Sequence, residues 1–301
     1  MRSSVMKKKQ NAADAAIEKA VALEESGDIE GAARAFFATM KLDPEDSRLP
    51  EHAGDLYLFH LNRPLDAIPC YEKAIPLFDA PEPMWLRLGL AHSLAGHDAP
   101  AVKALTRVLD LDSGSVGAQM ELGKHHLARG RAKDAVEHFD TALALLLMQK
   151  MSSWAQGAPP FDPHVLAIVL MGKARACLIH LDRLEDGMSA VAQLFGDLED
   201  NERGVKLASE LQVAGKHALA ANVLDALLTR WPRDAEAKAL RATLRVPDSS
   251  KRAGAKTKTK TTASKKRARG KTAKKNVTAG SSKKTPKKKA KRSSPTATKK
   301  T

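Results

Sequence analysis

Residues 82–115 read EPMWLRLGLAHSLAGHDAPAVKALTRVLDLDSGS, and residues 116–149 read VGAQMELGKHHLARGRAKDAVEHFDTALALLLMQ. Laid over each other, these 34-residue lines share their landmarks. Gly89 returns as Gly123, Gly96 as Gly130, Ala101 as Ala135, Leu105 as Phe139 and Val108 as Ala142. A fixed beat of this length marks a stacked repeat, in which each unit buries its apolar face against its neighbours. The residue types select a helix–turn–helix unit. Small side chains at Gly89 and Ala101 let two helices approach closely, while Trp85, Leu88 and Leu105 fill the gaps. Gly96 makes the turn.

The pattern extends in both directions. Repeat one runs from Ala13 to Asp46, with Ala20 in the small position and Leu23 in the aromatic one. Its turn is Gly27-Asp28, Ala32 and Phe36 pack its second helix, and Pro44 stops that helix. Repeat two, Ser47 to Pro81, has Gly54 and Tyr57 in register, but Ala67, Tyr71 and Ala74 come one residue late. The extra residue is expected in the turn around Asn62-Arg63-Pro64, where an insertion costs little.

After repeat four, the equivalent of Ala135 is Gly187, 52 positions on. The surplus is assigned to a helix extended through Leu143 to Met151 and to a loop from Ser152 to Pro163. Repeat five, Ala167 to Asp200, is degenerate: Ala174, Cys177 and Val191 fit, its turn is longer and no Pro closes it. Repeat six recovers the pattern with Ala208, Leu211, Gly215, Ala220, Leu224, Leu227 and Pro232. Asp234 to Leu244 reads as a capping helix. The expected organisation is a basic N-terminal extension (1–12), repeats one to four (13–149), an irregular insertion (150–166), repeats five and six with their cap (167–246), and a Lys-rich tail (247–301). No segment alternates as a strand would, so the chain is expected to be all-α.

Charge divides the same way. The whole chain is +15, yet Asp248–Thr301 holds 21 Lys or Arg against one acid, so residues 1–247 are net −5. A mildly acidic body carries a cationic appendage. The tail's cations include Lys256, Lys258, Lys260, Lys265, Lys266, Arg267, Arg269, Lys274, Lys275, Lys283, Lys284, Lys287, Lys288, Lys289, Lys291 and Arg292. It has no aromatic residue and, apart from Ala, one apolar side chain, Val277. Such a composition predicts disorder, because too little surface can be buried. It resembles linker-histone-type and bacterial histone-like tails. Its chemistry suits phosphate neutralisation without base readout, so non-specific nucleic-acid binding is expected. The other readings are service to acidic partners, contact with the acidic body, or solubility.

No Gly-x-x-x-x-Gly-Lys, Gly-x-Ser-x-Gly, His-Glu-x-x-His or Cys-x-x-Cys occurs, so neither an enzyme nor a cofactor is expected. Asp110, Asp112 and Glu121 have calcium-loop spacing, but Ser115 stands where that loop needs Gly. His92 and His126 share one repeat position and read as packing at a repeat junction rather than as metal ligands. Cys70 and Cys177 lie 107 positions apart and read as structural thiols in a reducing compartment. Neither a signal peptide nor a membrane span is expected, which points to the cytoplasm, with nucleoid or chromatin association through the tail.

The Leu-Gly pair, the small positions and the helix-ending Pro together resemble the tetratricopeptide repeat family. That resemblance implies a right-handed superhelical solenoid of about six repeats whose first helices line a concave groove. The groove positions it implies are Asp55, Leu58 and Phe59 in repeat two, Leu86, Leu90 and Leu94 in repeat three, and Met120, Lys124 and Leu127 in repeat four. Met84 to Leu94 is apolar almost all round, broken by Arg87, His92 and Ser93, so a cover for its second face is expected. A partner helix would provide one, as would self-contact through the Trp154–Phe161 loop or another subunit. The family's carboxylate clamp needs Lys, Asn and Arg where this chain has Ile17, Val21, His52, Pro83 and Leu86, so that mode is not expected. The implied role is a non-enzymatic adaptor with an unidentified protein or peptide in the groove. The alternative is a homo-oligomeric scaffold.

Overall fold

A computed structural model describes residues 2–152 and 161–244, with side chains from Asn11 onward except that of Asp197. The described residues form thirteen α-helices and no strand. Six pairs follow one another: α1 (Arg2–Glu25) with α2 (Ile29–Thr39), α3 (Arg48–Asp55) with α4 (Pro64–Ala74), and α5 (Glu82–Ala95) with α6 (Asp98–Leu111). Then come α7 (Val116–Ala128) with α8 (Ala132–Ser152), α9 (Pro163–Arg175) with α10 (Leu184–Asp197), and α11 (Asn201–Val213) with α12 (His217–Arg230). A single helix, α13 (Ala235–Thr243), closes the stack. The tail, residues 247–301, and Trp154 lie outside the described residues.

Short polar caps start the helices. Asp28, Ser115, Asp162, Asp200 and Asp234 each accept a backbone N–H in the first turn of α2, α7, α9, α11 and α13. The turn within repeats one, three, four and six is a glycine at positive φ: Gly27, Gly96, Gly130 and Gly215. Repeats two and five solve the same turn differently. Each first helix ends in a wider π-helical turn, Leu56–His60 and Ala176–His180, and the positive φ falls on Asn62 and Asp182. The late register of repeat two therefore arises partly inside its first helix, not only in the loop after it. In repeat five, Glu199 at positive φ leads into the next cap, where repeats one and six have Pro44 and Pro232.

Two expected boundaries move. The N-terminal extension is helical and continuous with α1, because no Gly or Pro interrupts the chain before Gly27. Helix advances into both ends of the expected 150–166 insertion, with α8 running to Ser152 and α9 starting at Pro163.

Within the second, third and fourth pairs a glycine meets a large side chain. A Cβ on Gly54 would lie 2.7 Å from Tyr71, one on Gly89 2.6 Å from Leu105, and one on Gly123 2.7 Å from Phe139. Phe139 also closes on Gly172 of α9 and so joins repeat four to repeat five. The apolar core groups into an N-terminal cluster between Ala20 and Ala104, a C-terminal one between Val116 and Leu244, and a small third one of Ala132, Val136, Ala176 and Cys177. Leu105, Val108, Ala118 and Leu122 are buried where repeats three and four meet. Among the described residues, Pro163–His180 alone has the length and composition to cross a membrane, at mean hydropathy 1.2. Over half of it is buried by neighbouring helices, and Lys173 and Arg175 within it pair with Asp140 and Glu210.

Candidate partner-binding groove

The first helices of successive repeats lie side by side and are tied by polar bridges. His52 Nε2 lies 2.7 Å from a Glu24 carboxylate oxygen, linking α3 to α1. Arg87 of α5 reaches Glu51 Oε1 at 3.0 Å and Asp55 Oδ1 at 3.1 Å on α3. Ser93 meets His125 Nδ1 at 2.8 Å, and Arg175 grips Glu210 through two hydrogen bonds of 2.6 Å. These bridges fix the spacing of the face on which the expected groove residues sit.

The structure divides those nine residues into three groups. Phe59 and Leu94 stand out from the face, 56% and 55% exposed, and Lys124 is exposed beside Glu121, to which it donates at 2.7 Å. Leu86, Leu90, Met120 and Leu127 are half-buried: Leu86 lies against Gly117 of α7, Leu90 against the N-terminal cluster, and Met120 and Leu127 against the C-terminal one. Leu58 and Asp55 are committed to the fold. Leu58 is 3% exposed within the core, and Asp55 Oδ1 accepts the Tyr71 hydroxyl at 2.7 Å as well as Arg87. The π-helical turn explains Leu58: residues 56–60 leave the α-helical register, and the equivalent Leu178 of repeat five is buried likewise.

The second apolar face of α5 is largely covered by adjacent repeats. Met84, Leu88 and Ala91 face inward, Leu86 meets α7, and Trp85 with His92 borders an outer trough of about 540 Å³ shared with α4 and α6. Leu94 remains open. Aligning Gly215 with Gly96 puts Val213, 90% exposed, at the position of Leu94, an open apolar site that a reading confined to repeats two to four passes over. At the N-terminal end, a cavity of about 370 Å³ opens between α1 and α3, with Ile17, Val21 and Leu49 in its lining.

His125 of repeat four reaches Ser93 of repeat three, whereas the other histidines of these two repeats pack inside their own repeats, His92 beside His97 and His126 beside His138. His126 stacks on His138 with centroids 5.2 Å apart and planes 5° apart, and His138 Nδ1 lies 2.8 Å from Gln119. His125 is buried, its Nε2 lacks a hydrogen-bond partner, and Asp98 stands 3.8 Å away. Asp112 receives the Gly114 N–H in the turn, while Glu121 lies within α7. No described group of three or more His, Cys, Asp or Glu is placed to hold a metal ion. Both cysteines are buried and free, and burial pushes the Cys70 thiol up to about 12, so it stays protonated and unreactive.

Burial holds His92, His125, His126 and His138 below the ordinary imidazole range. Their neutral forms therefore favour the folded state, and the unfolded chain takes up protons first, below about pH 6.5. Stability should be level above that pH and fall as pH drops through the lower folded values. Melting temperature measured from pH 8 to 5 checks this. A flat profile would show that the fold does not depend on neutral imidazoles.

The fold defines the described body as a tetratricopeptide-type helical solenoid. The profile of the tetratricopeptide repeat family matches residues 95–146. Among solved structures, the APC/C hetero-tetramer Cut9–Hcn1 is similar at TM-score 0.52 and 20% identity, over 78% of this chain and 43% of that one. A tetratricopeptide repeat protein from Parabacteroides merdae is similar at TM-score 0.51 and 13% identity, over 76% and 83%. PilW, a type IV pilus biogenesis factor, gives TM-score 0.50 and 18% identity, over 67% and 84%. This chain thus spans less than half of the APC/C chain, and the likeness to all three is one of fold. No curated protein matches the sequence.

Proposed function

We propose that the protein is a non-enzymatic adaptor: the first-helix groove holds a segment of a protein partner, and the cationic tail binds nucleic acid without sequence preference. The observation that carries the groove half is the exposure of apolar Phe59, Leu94 and Val213 at the ends of the first helices of repeats two, three and six, which polar bridges tie to their neighbours. The tail half rests on composition, 21 cations against one acid in residues 248–301. Two modest contacts on one chain reinforce each other through effective concentration, which gives such a tether its use. This reading carries a cytoplasmic location, at the nucleoid or chromatin.

Leu94→Asp combined with Val213→Asp tests the groove. Both sites are open, so stability should change by no more than about 0.5 kcal/mol, while recovery of partners from nuclease-treated extract should be lost. Unchanged recovery would overturn the groove reading. Leu90→Asp is expected instead to destabilise, because Leu90 packs on the core.

One observation favours a homo-oligomeric scaffold as the second reading. Ala144, Leu147, Met148 and Met151 form an exposed apolar stripe at helical spacing along the end of α8. A monomer in light scattering at micromolar concentration would dismiss it.

A further inference from the structure

The groove is electrically uneven along its length. Around the cavity between α1 and α3, Glu24, Asp46, Glu51 and Asp55 stand with two guanidiniums, Arg48 and Arg87. Glu18 and Glu25 are exposed and share the Ile17–Val21 side of α1 by helical spacing, whereas Lys19 lies near the opposite side. Asp46 is answered by Arg48, which donates to it at 2.7 and 2.9 Å. Arg87 alone answers both Glu51 and Asp55. Leaving His52 aside, these six carboxylates and two guanidiniums sum to −4. Next to them, the same face in repeats three and four offers Leu86, Leu90, Leu94, Met120 and Leu127, and its Glu121–Lys124 pair cancels.

We propose that the groove selects a basic amphipathic helix of a protein partner: its Lys- or Arg-rich end lies over the α1–α3 cavity, and its apolar stripe lies along Leu94, Met120 and Leu127. This inference rests on the groove reading and adds chemistry and direction to it. Carboxylates that outnumber their guanidiniums leave acceptor oxygens for incoming cations, and they repel phosphate, so nucleic acid does not fit this end. Ile17, Val21 and Leu49 supply apolar floor for the methylene stems of Lys or Arg.

Synthetic amphipathic peptides of equal length and equal apolar stripe test this on the full chain, with fluorescence anisotropy at near-physiological salt. One carries Lys and Arg in its first two turns, one carries them in its last two, and a third carries Glu instead. The better basic peptide should bind at least about tenfold tighter than the acidic one, a preference of about 1.4 kcal/mol. Glu18→Lys with Glu25→Lys, both at exposed sites, should erase that preference, and Leu94→Asp should weaken all three peptides. A spin label on the basic end should broaden the methyl signals of Ile17 and Val21 and spare those of Leu127.

Equal or reversed preference, a preference that survives the charge reversal, broadening at Leu127 instead, or no binding by any peptide would each overturn the proposal. Where a peptide binds, sensitivity to Leu94→Asp separates the two levels. Loss of binding keeps the groove reading and removes only its charge rule, whereas indifference removes the groove as well.

Discussion

Phe139→Ala is expected to cost about 3–5 kcal/mol, the range for removing a fully buried aromatic ring. Phe139 is 0% exposed and faces two glycines on different helices, Gly123 of α7 and Gly172 of α9. Its ring therefore fills the space within repeat four and the space between repeats four and five. Because contacts in a stacked array run to nearest neighbours, the loss should fall on one junction. Urea unfolding followed by circular dichroism should resolve two transitions in place of a single cooperative one, with hydrogen exchange fastest in α7 to α9. The glycine side supplies a paired check. A methyl on Gly123 would sit 2.7 Å from the ring, so Gly123→Ala should destabilise and Phe139→Leu should partly relieve it. A loss below about 1 kcal/mol in Phe139→Ala would show that the ring does not bridge the repeats.

Deleting residues 248–301 is expected to remove duplex DNA binding while leaving the helical signal of the body unchanged. If about ten tail cations meet phosphates, the affinity of the full chain should fall with log salt at a slope near −9, about 10⁵-fold between about 50 and 200 mM. Sequence should matter little, since the tail has no aromatic residue with which to stack on bases. Electrophoretic retardation across a salt series measures both. Retardation by the truncated body would assign the binding elsewhere, against the body's net −5.

What could be read without coordinates was what helix geometry makes periodic. Gly89, Gly123, Leu105 and Phe139 announce a close helix pair because only a missing Cβ admits the large partner, and the same requirement returns at Gly54. The Gly27, Gly96, Gly130 and Gly215 turns were legible for the same reason. The π-helical turns were not. A late register shows that one residue is extra and says nothing about whether a loop or a widened helix absorbs it. The groove suffered from this: Leu58 holds a groove position by counting and a core position in space, and Asp55 is drawn off by Tyr71 and Arg87. The helical start at Arg2 was hidden because a Lys-rich lead carries no apolar period, though nothing in it stops a helix.

The two widened turns have a consequence for length. They occupy the middle repeat of each set of three, and each is followed by the same elements: Leu61, Arg63 and Asp66 in one, Leu181, Arg183 and Asp186 in the other. Arg63 pairs with Asp66 and Arg183 with Asp186, both at 2.7 Å. The chain thus carries two matching dislocations, like graduations on a ruler. On the proposed groove, a partner segment short enough to lie between them would meet only ordinary α-helical turns, whereas a longer one would have to cross a widened one.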